Sequence, residues 1–334
     1  MSGNQFKNIG SIEELFANET DKRPVMVSVK CLAYNHEKFI RQALDGFVMQ
    51  KTNFRYEVII HDDASTDSTA AIITEYAEKY PNIIKPLLEK ENLFSKPDGD
   101  HINQTILPAL RGKYIALCEG DDYWTDPNKL QKQVDFLEAH PDYTLCFHNA
   151  IVHYEDGSKP DKLYSNFTER EYFPEDCIHG YQPPTASMLF RQEILDSDIY
   201  KSTLNANINF GDLPLILSCM YLGKAYGFPS LMSIYRIHAN GLSNKLFADL
   251  RIPTLNSYRY MAEIFKHSPA GQACKKYFLI TSPTAIKQLF KGQLKCAFAL
   301  LLPSFKYYPF HTIIRLLTFH PKIFLNHLLH LIKH

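Results

Sequence analysis

The sequence has no net charge, no paired cysteines, no signal-like apolar start and no long apolar run, and each absence removes a class of protein. Across 334 residues, 36 Lys+Arg balance 36 Asp+Glu, so the chain as a whole carries no basic field for nucleic acid. Seven cysteines (Cys31, Cys118, Cys146, Cys177, Cys219, Cys274 and Cys296) contain no C-x-x-C pair. That spacing suits neither a zinc module nor a disulfide scaffold and points to a reducing, cytoplasmic compartment. The first 23 residues are polar, with Glu13, Glu14, Glu19 and Asp21, and lack the apolar stretch of a secretory signal. In the C-terminal region the longest apolar run, residues 296–302, is seven residues long, against about 20 needed to cross a hydrocarbon core. No internal repeat or low-complexity tract is present. With 45% hydrophobic and 22% charged residues, the composition is that of an ordinary globular protein.

The balanced charge hides an asymmetry. From Ile264 to the C-terminus there are ten Lys/Arg and no Asp or Glu, leaving 26 basic against 36 acidic residues in the first 263. The body is acidic and the tail is basic.

Residues 24–155 read as alternating strands and helices. Residues 25–32 form a short apolar run opened by Pro24, as a strand buried on both faces requires. Phe39, Ile40, Ala43, Leu44, Phe47 and Val48 then recur at helical spacing. Strands are expected over 56–60, 83–88 and 114–118, and helices over 68–79, 102–110 and 127–139. Such β-α units predict an α/β fold whose ligands bind beyond the carboxyl ends of the strands. Residues 156–211 are less regular, with a strand expected over 185–190 and a short helix over 192–196. A further helix is expected over 213–222, and the chain beyond about residue 250 reads as helical, aromatic and basic.

Three acidic constellations sit at element ends. The first is Asp62-Asp63-Ala64-Ser65-Thr66-Asp67, after the second strand. Asp67 suits the start of the following helix, whereas two adjacent carboxylates repel each other and exceed what a cap needs. The second is Glu119-Gly120-Asp121-Asp122-Tyr123-Trp124, three carboxylates in four residues with a glycine that permits close backbone approach. Oxygen ligands of this kind suit a hard divalent cation that also touches phosphate. The third is Gly211-Asp212, at the head of the apolar 213–222 helix. It can serve as an N-cap or as a general base.

Taken together, Val27-Ser28-Val29, Tyr34-Asn35-His36-Glu37, the 62–69 run, and Glu119 through Pro127 with Lys129-Leu130 resemble the family 2 inverting glycosyltransferases of GT-A fold, in particular bacterial members that build envelope polysaccharide. The resemblance covers residues 25 to about 244. It implies an α/β, Rossmann-like mixed sheet flanked by helices, with a helical C-terminal extension. The implied organisation is an N-terminal extension over 1–23, a catalytic domain over 24–250 and a basic helical region over 251–334. The implied reaction moves a hexosyl or N-acetylhexosaminyl group from a nucleotide-sugar donor, a UDP-sugar, to a glycan or lipid-linked acceptor, with Mn2+ or Mg2+ as cofactor.

Position by position, the resemblance places Leu32, Ala33 and Tyr34 at the nucleotide base and Asp63 at uracil. It places Asp121 and Asp122 at the ribose, metal and diphosphate, Glu119 standing where an aspartate is usual. Asp212 falls at the catalytic base. In Tyr235-Arg236-Ile237-His238, Arg236 is expected on phosphate oxygens and His238 on the metal. Thr185, Ser187 and Arg191 are expected on the acceptor side.

Rival readings make distinct demands. A sugar-nucleotide nucleotidyltransferase needs a glycine-rich phosphate loop after its first strand, and Leu32-Ala33-Tyr34-Asn35-His36 has no glycine. A glycoside hydrolase needs two carboxylates flanking one bond, which sequence alone does not exclude. A non-catalytic sugar-nucleotide or glycan-binding module has no use for a base. In the tail, Ile313, Leu316, Leu317, Phe319, Phe324 and Leu328 mix with Arg315, Lys322 and Lys333, which suits peripheral contact with the inner, anionic membrane face.

Overall fold

Runs of apolar residues closed by carboxylates become the parallel strands of a mixed sheet. In a computed structural model, the described residues are 15–278 apart from 18, 97–100, 179, 181, 207, 209–210 and 242–250. Within them the chain divides into two units, residues 1–201 with 215–241, and residues 202–214 with 242–334.

The first unit holds the sheet. Strands β1 (Val25–Ala33), β2 (Arg55–Asp62), β3 (Ile84–Leu88) and β4 (Tyr114–Leu117) form its parallel half, in the order β3-β2-β1-β4. All eight residues of β2 are buried, as expected of a strand covered on both faces. The helices Ile40–Val48 and Thr69–Lys79 connect these strands. Ile40, Ala43, Leu44 and Phe47 line one buried stripe at helical spacing.

The sheet continues through β9 (Leu189–Arg191), β6 (Tyr143–Tyr154), β10 (Lys224–Ile237) and β5 (Tyr123–Trp124), with β7 (Lys162–Leu163) on β6 and β8 (Arg170–Tyr172) on β10. β9 runs antiparallel to both β4 and β6, and β10 runs parallel to β6. β1, β2, β4, β6 and β10 therefore share one carboxyl edge. The helix Lys129–Ala139 packs on β6 through Leu130, Val134 and Leu137. At Gly46, a Cβ would lie 2.9 Å from the Trp124 carbonyl oxygen, so glycine lets the Ile40–Val48 helix press against β5.

Three departures from the sequence reading have physical causes. The expected strand over 185–190 is a 3-10 turn, Thr185–Ser187, followed by the short β9. Pro183 and Pro184 precede it, and the Ser187 hydroxyl turns back to the Pro184 carbonyl at 2.6 Å, which curls the backbone away from extended pairing. Residues 15–23 are joined to the sheet rather than set apart from it. The Glu19 carboxylate lies buried 2.5 Å from Arg55, 2.7 Å from Arg111 and 3.2 Å from Lys85. The long strands β6 and β10 have no clear counterpart in the sequence pattern, since polar residues interrupt both.

The second unit contains the helix Arg251–Ile264 and a further helical stretch over residues 269–278. Met261, Phe265, Ala273, Cys274 and Phe278 are buried there, and Tyr258 and Tyr277 pack with ring centroids 4.2 Å apart. No helix among the described residues is long and apolar enough to cross a membrane. The apolar run 296–302 and the basic amphipathic stretch beyond it lie outside the described residues, as does the start of the N-terminal extension.

Candidate active site

The carboxyl edge is drawn together by backbone bonds between its loops. The Gly120 amide donates to the Leu32 carbonyl at 2.8 Å, and the Asp63 amide to the Ala33 carbonyl at 3.0 Å. A Cβ on residue 120 would lie 2.9 Å from Ile40 Cδ1 and 3.0 Å from His36 Nδ1, so a side chain here would displace those two. The loops after β1 and β2 are cross-tied side chain to backbone. The Asn35 amide donates to Ser65 Oγ, the Thr66 amide to Asn35 Oδ1, the His36 amide to Thr69 Oγ1 and the Ser68 amide to Glu37 Oε2. Asn35 and Ala64 carry positive φ angles of 55° and 59°, a local cost that these ties offset.

The two adjacent aspartates after β2 act in different directions. Asp62 accepts from the Ser65 hydroxyl and amide at 2.5 and 3.1 Å, and burial raises its carboxyl above the usual range. Asp63 accepts the Leu93 and Phe94 amides at 2.6 and 3.1 Å, and so fixes the loop after β3. A carboxylate has further lone pairs, which leaves Asp63 able to accept one more donor. Asp67 accepts the Thr69 amide at 2.9 Å at the head of its helix. Tyr34 is exposed at the rim, with Leu32 and Ala33 lining the edge beside it.

After β4, Asp121 and Asp122 also diverge. Asp121 Oδ2 lies 3.0 Å from His238 Nε2 and 3.9 Å from His36 Nε2. Burial works to raise the Asp121 carboxyl, but the His238 hydrogen bond and the nearby imidazoles bring it below the usual range. Burial lowers the His36 imidazole. Asp122 is turned inward. It is 3% exposed, and its Oδ1 accepts the Arg236 amide at 2.8 Å. Burial, and then the Asp121 charge, push its carboxyl well above the usual range. Its Oδ1 is committed to the β10 backbone, which sets Asp122 apart from the ligand role expected of it. It acts instead as the acceptor that pins β10 to the acidic loop.

Arg236 likewise departs from expectation. Its Nη1 donates to the Asp121 carbonyl at 2.6 Å, its Nη2 to Gln42, and its Nε lies 2.6 Å from Glu155. The guanidinium lies over the Tyr123 ring at 4.4 Å, and the side chain is 1% exposed. With its nitrogens turned to Asp121, Gln42 and Glu155 inside the protein, it braces the loop and is not presented to phosphate.

Among the described residues no group of three His, Cys, Asp or Glu side chains has a geometry that could hold a metal ion. Asp121 and His238 nevertheless fit a hard divalent cation as two protein donors. Asp121 Oδ2 and His238 Nε2 lie 3.0 Å apart and bond to each other at the carboxyl edge, with His36 Nε2 3.9 Å from the same oxygen, and a cation bound here would replace that bond and take the two as donors.

The acceptor-side residues separate. Thr185 stands half-buried on its turn, and Ser187 is fully buried with its hydroxyl turned inward. Arg191 pairs opposite Tyr114, at the amino end of β4, and donates to the carbonyls of Tyr143 and Leu137. It caps the Lys129–Ala139 helix at the far end of the sheet from the acidic loops, so it does not line this site. Asp212 opens the helix Asp212–Leu222 and belongs to the second unit. Sequence reasoning passed over His36 and Gln42. His36 was visible only as one member of Tyr34-Asn35-His36-Glu37, and Gln42 carried no signal.

Comparisons with known proteins bear on the fold and the family. The sequence profile described as glycosyl transferase family 2 matches residues 28–197. An uncharacterised Mycobacterium tuberculosis protein is 41% identical over 226 residues, 67% of this chain and 62% of its own length. The matched region thus spans less than two thirds of that relative. The Escherichia coli enzyme WfaP, named as a UDP-Glc:alpha-D-GlcNAc-diphosphoundecaprenol beta-1,3-glucosyltransferase, is 26% identical over 67% of this chain and 82% of its own. Among solved structures, S. aureus TarS with UDP-GlcNAc superposes with a TM-score of 0.53 at 18% identity, covering 72% of this chain and 66% of that one. The Pyrobaculum calidifontis mannosyltransferase PcManGT with GDP-Man and Mn2+ gives 0.52 at 17% identity, covering 92% and 84%. These likenesses establish the GT-A fold. The profile match, covering just over half of the chain, establishes the family: this chain belongs to glycosyl transferase family 2.

Proposed function

We propose that the protein transfers one hexosyl or N-acetylhexosaminyl group, with inversion, from a UDP-sugar to a hydroxyl of a glycan or lipid-linked acceptor in envelope polysaccharide synthesis. The observation that carries this reading is the pair Asp121 and His238, with His36 beside it, at the shared carboxyl edge of β1, β4 and β10. Leu32, Ala33 and Tyr34 receive the base, with Asp63 offering its remaining lone pairs to uracil. A divalent cation, Mn2+ or Mg2+, held by Asp121 and His238 would supply charge neutralisation to the leaving diphosphate. Asp212 takes the proton from the attacking hydroxyl as general base, and Thr185 contributes to the acceptor side. The names of WfaP and of the Bacillus subtilis teichuronic acid glycosyltransferase TuaG, 26% identical over 66% of this chain, support an envelope glycan or lipid diphosphate acceptor.

Calorimetry across a panel of nucleotides with and without Mn2+ tests the donor, and UDP is expected to bind only when metal is present. Failure of every nucleotide to bind at millimolar concentration with metal would defeat the proposal. Asp212→Asn is expected to keep UDP binding and lose turnover by a factor on the order of 10² or more. Full activity in that variant would remove Asp212 from the role of base.

A further inference from the structure

Behind the acidic loop lies a buried polar cluster to which the reaction assigns no role. Lys129, at the start of the Lys129–Ala139 helix, is fully buried, and its Nζ donates to Gln133 Oε1 at 2.8 Å. The same ammonium lies 4.1 Å from the centre of the Trp124 ring. Gln133 is also fully buried, and its Nε2 donates to the Ser187 carbonyl at 2.9 Å and to the Cys146 carbonyl at 3.4 Å. Trp124 Nε1 donates to the Ala186 carbonyl at 2.8 Å. The Thr185–Ser187 turn therefore receives two buried side-chain donors on consecutive carbonyls. Its next residue, Met188, accepts the Leu117 amide at 3.2 Å, at the last residue of β4.

The chemistry of these groups allows one arrangement. A carbonyl oxygen only accepts, so the amide nitrogen of Gln133 must face Ser187 and Cys146, and its oxygen must face away from them. That oxygen is then buried and needs a donor. Lys129 supplies it. Apolar residues would fill the same space without burying an ammonium, so packing alone does not account for a lysine at this position.

We propose that Lys129, Gln133 and Trp124 form an internal bracket that fixes the Thr185–Ser187 turn against the Glu119–Asp122 loop, making them positioning residues for the acceptor side of the site. The consequence for acceptor binding rests on the proposed glycosyl transfer; the bracket itself rests on the geometry alone. Trp124 stands directly after the acidic loop, so one buried unit joins the donor-side motif to the turn that carries Thr185.

The test uses the full chain and two variants at the bracket. Gln133→Glu keeps an oxygen for Lys129 but places an acceptor against the Ser187 carbonyl, and Lys129→Met removes the donor while keeping a long side chain. Hydrogen exchange at the Ser187 and Met188 amides, which bond within this turn to Pro184 and Thr185, is expected to quicken at least tenfold in both variants. Exchange in β1 should be unchanged, as should UDP affinity with Mn2+. With UDP-glucose as donor and a short-chain lipid diphosphate N-acetylglucosamine as acceptor, the acceptor KM should rise several-fold with little change in kcat. Trp124→Phe, which keeps an aromatic side chain but removes the Nε1 donor together with part of the ring, should give a change of the same kind. Unchanged exchange at Ser187 and Met188 in folded Gln133→Glu would overturn the bracket. Faster exchange with an unchanged acceptor KM would support the bracket and instead defeat the acceptor-side assignment of the turn. Should Gln133→Glu fail to fold, Lys129→Met and Trp124→Phe carry the same exchange test.

Discussion

A carboxylate's neighbours decide what it does, and Asp121 and Asp122 show how far two adjacent ones can differ. Asp121 meets imidazoles that lower its carboxyl, while Asp122 meets a backbone amide in the interior, where burial raises its own. Asp122→Asn preserves an oxygen acceptor for the Arg236 amide, so it should retain UDP and Mn2+ binding within a few-fold of wild type. Asp122→Ala leaves that amide unsatisfied and should cost about 1–3 kcal/mol in urea unfolding. Asp121→Asn, by contrast, should weaken the metal-dependent part of UDP binding while leaving stability nearly unchanged. If Asp122→Asn lost metal-dependent binding as fully as Asp121→Asn, Asp122 would be a ligand after all.

Lys129 offers a residue-scale test by pH. Burial pushes its ammonium down to about 7 from an ordinary 10.5. Between those values the unfolded chain binds the extra proton and the folded chain does not, so this lysine makes stability rise with pH across that window. Below about 7 its destabilising contribution is complete. Lys129→Met removes this pH dependence along with the donor to Gln133, so the stability difference between variant and wild type should shift in the variant's favour from pH 8.5 to pH 6, measured by urea unfolding at both values. An equal difference at the two pH values would mean that Lys129 keeps an ordinary affinity for its proton.

At the scale of elements, the stretch before β1 is more than a leader to the sheet. Burial alone would raise the Glu19 carboxyl, yet Arg111, Arg55 and Lys85 bring it down to about 2. A carboxylate lowered in the folded state stabilises above its unfolded value near 4.5, and that contribution is lost as pH falls towards 2. Glu19→Gln should therefore destabilise by about 3–5 kcal/mol at pH 7, since it leaves buried cations unpaired. The difference should shrink below pH 4 in acid-unfolding curves. The parallel half of the sheet was legible because β1 to β4 are short apolar runs that end in polar clusters, and a strand covered on both faces needs little else. β6 and β10 were not. His148 and Asn149 interrupt the first, Gly227, Pro229 and Ser230 the second, and β10 shifts register against β6 twice between Phe228 and Ser233. The acidic motifs announced the site for the same reason that β1 to β4 were visible. The roles of Arg236 and Asp122 did not follow, because direction and burial are properties of the folded chain. Arg191 misled because sequence order does not say which end of a short antiparallel strand meets the site.

For the whole molecule, charge distribution sets the remaining question. A body with 26 basic and 36 acidic residues is repelled by an anionic leaflet, while the last 71 residues hold ten Lys/Arg and no acid. Each basic side chain near such a surface contributes about 1 kcal/mol, and the attraction fades within a Debye length of about 8–10 Å at moderate salt. Interleaved leucine, isoleucine and phenylalanine can then retain by insertion what charge has attracted. If the acceptor is lipid-linked, this arrangement would bring the enzyme to it. The full chain should bind vesicles containing anionic phospholipid at low salt, bind uncharged phosphatidylcholine vesicles weakly, and release as salt is raised. Replacing the seven Lys/Arg of residues 279–334 by Gln should reduce vesicle binding at least tenfold while UDP affinity stays constant. Equal binding by the two proteins in a vesicle sedimentation assay, or no binding by either, would assign the basic tail to packing or subunit contact instead.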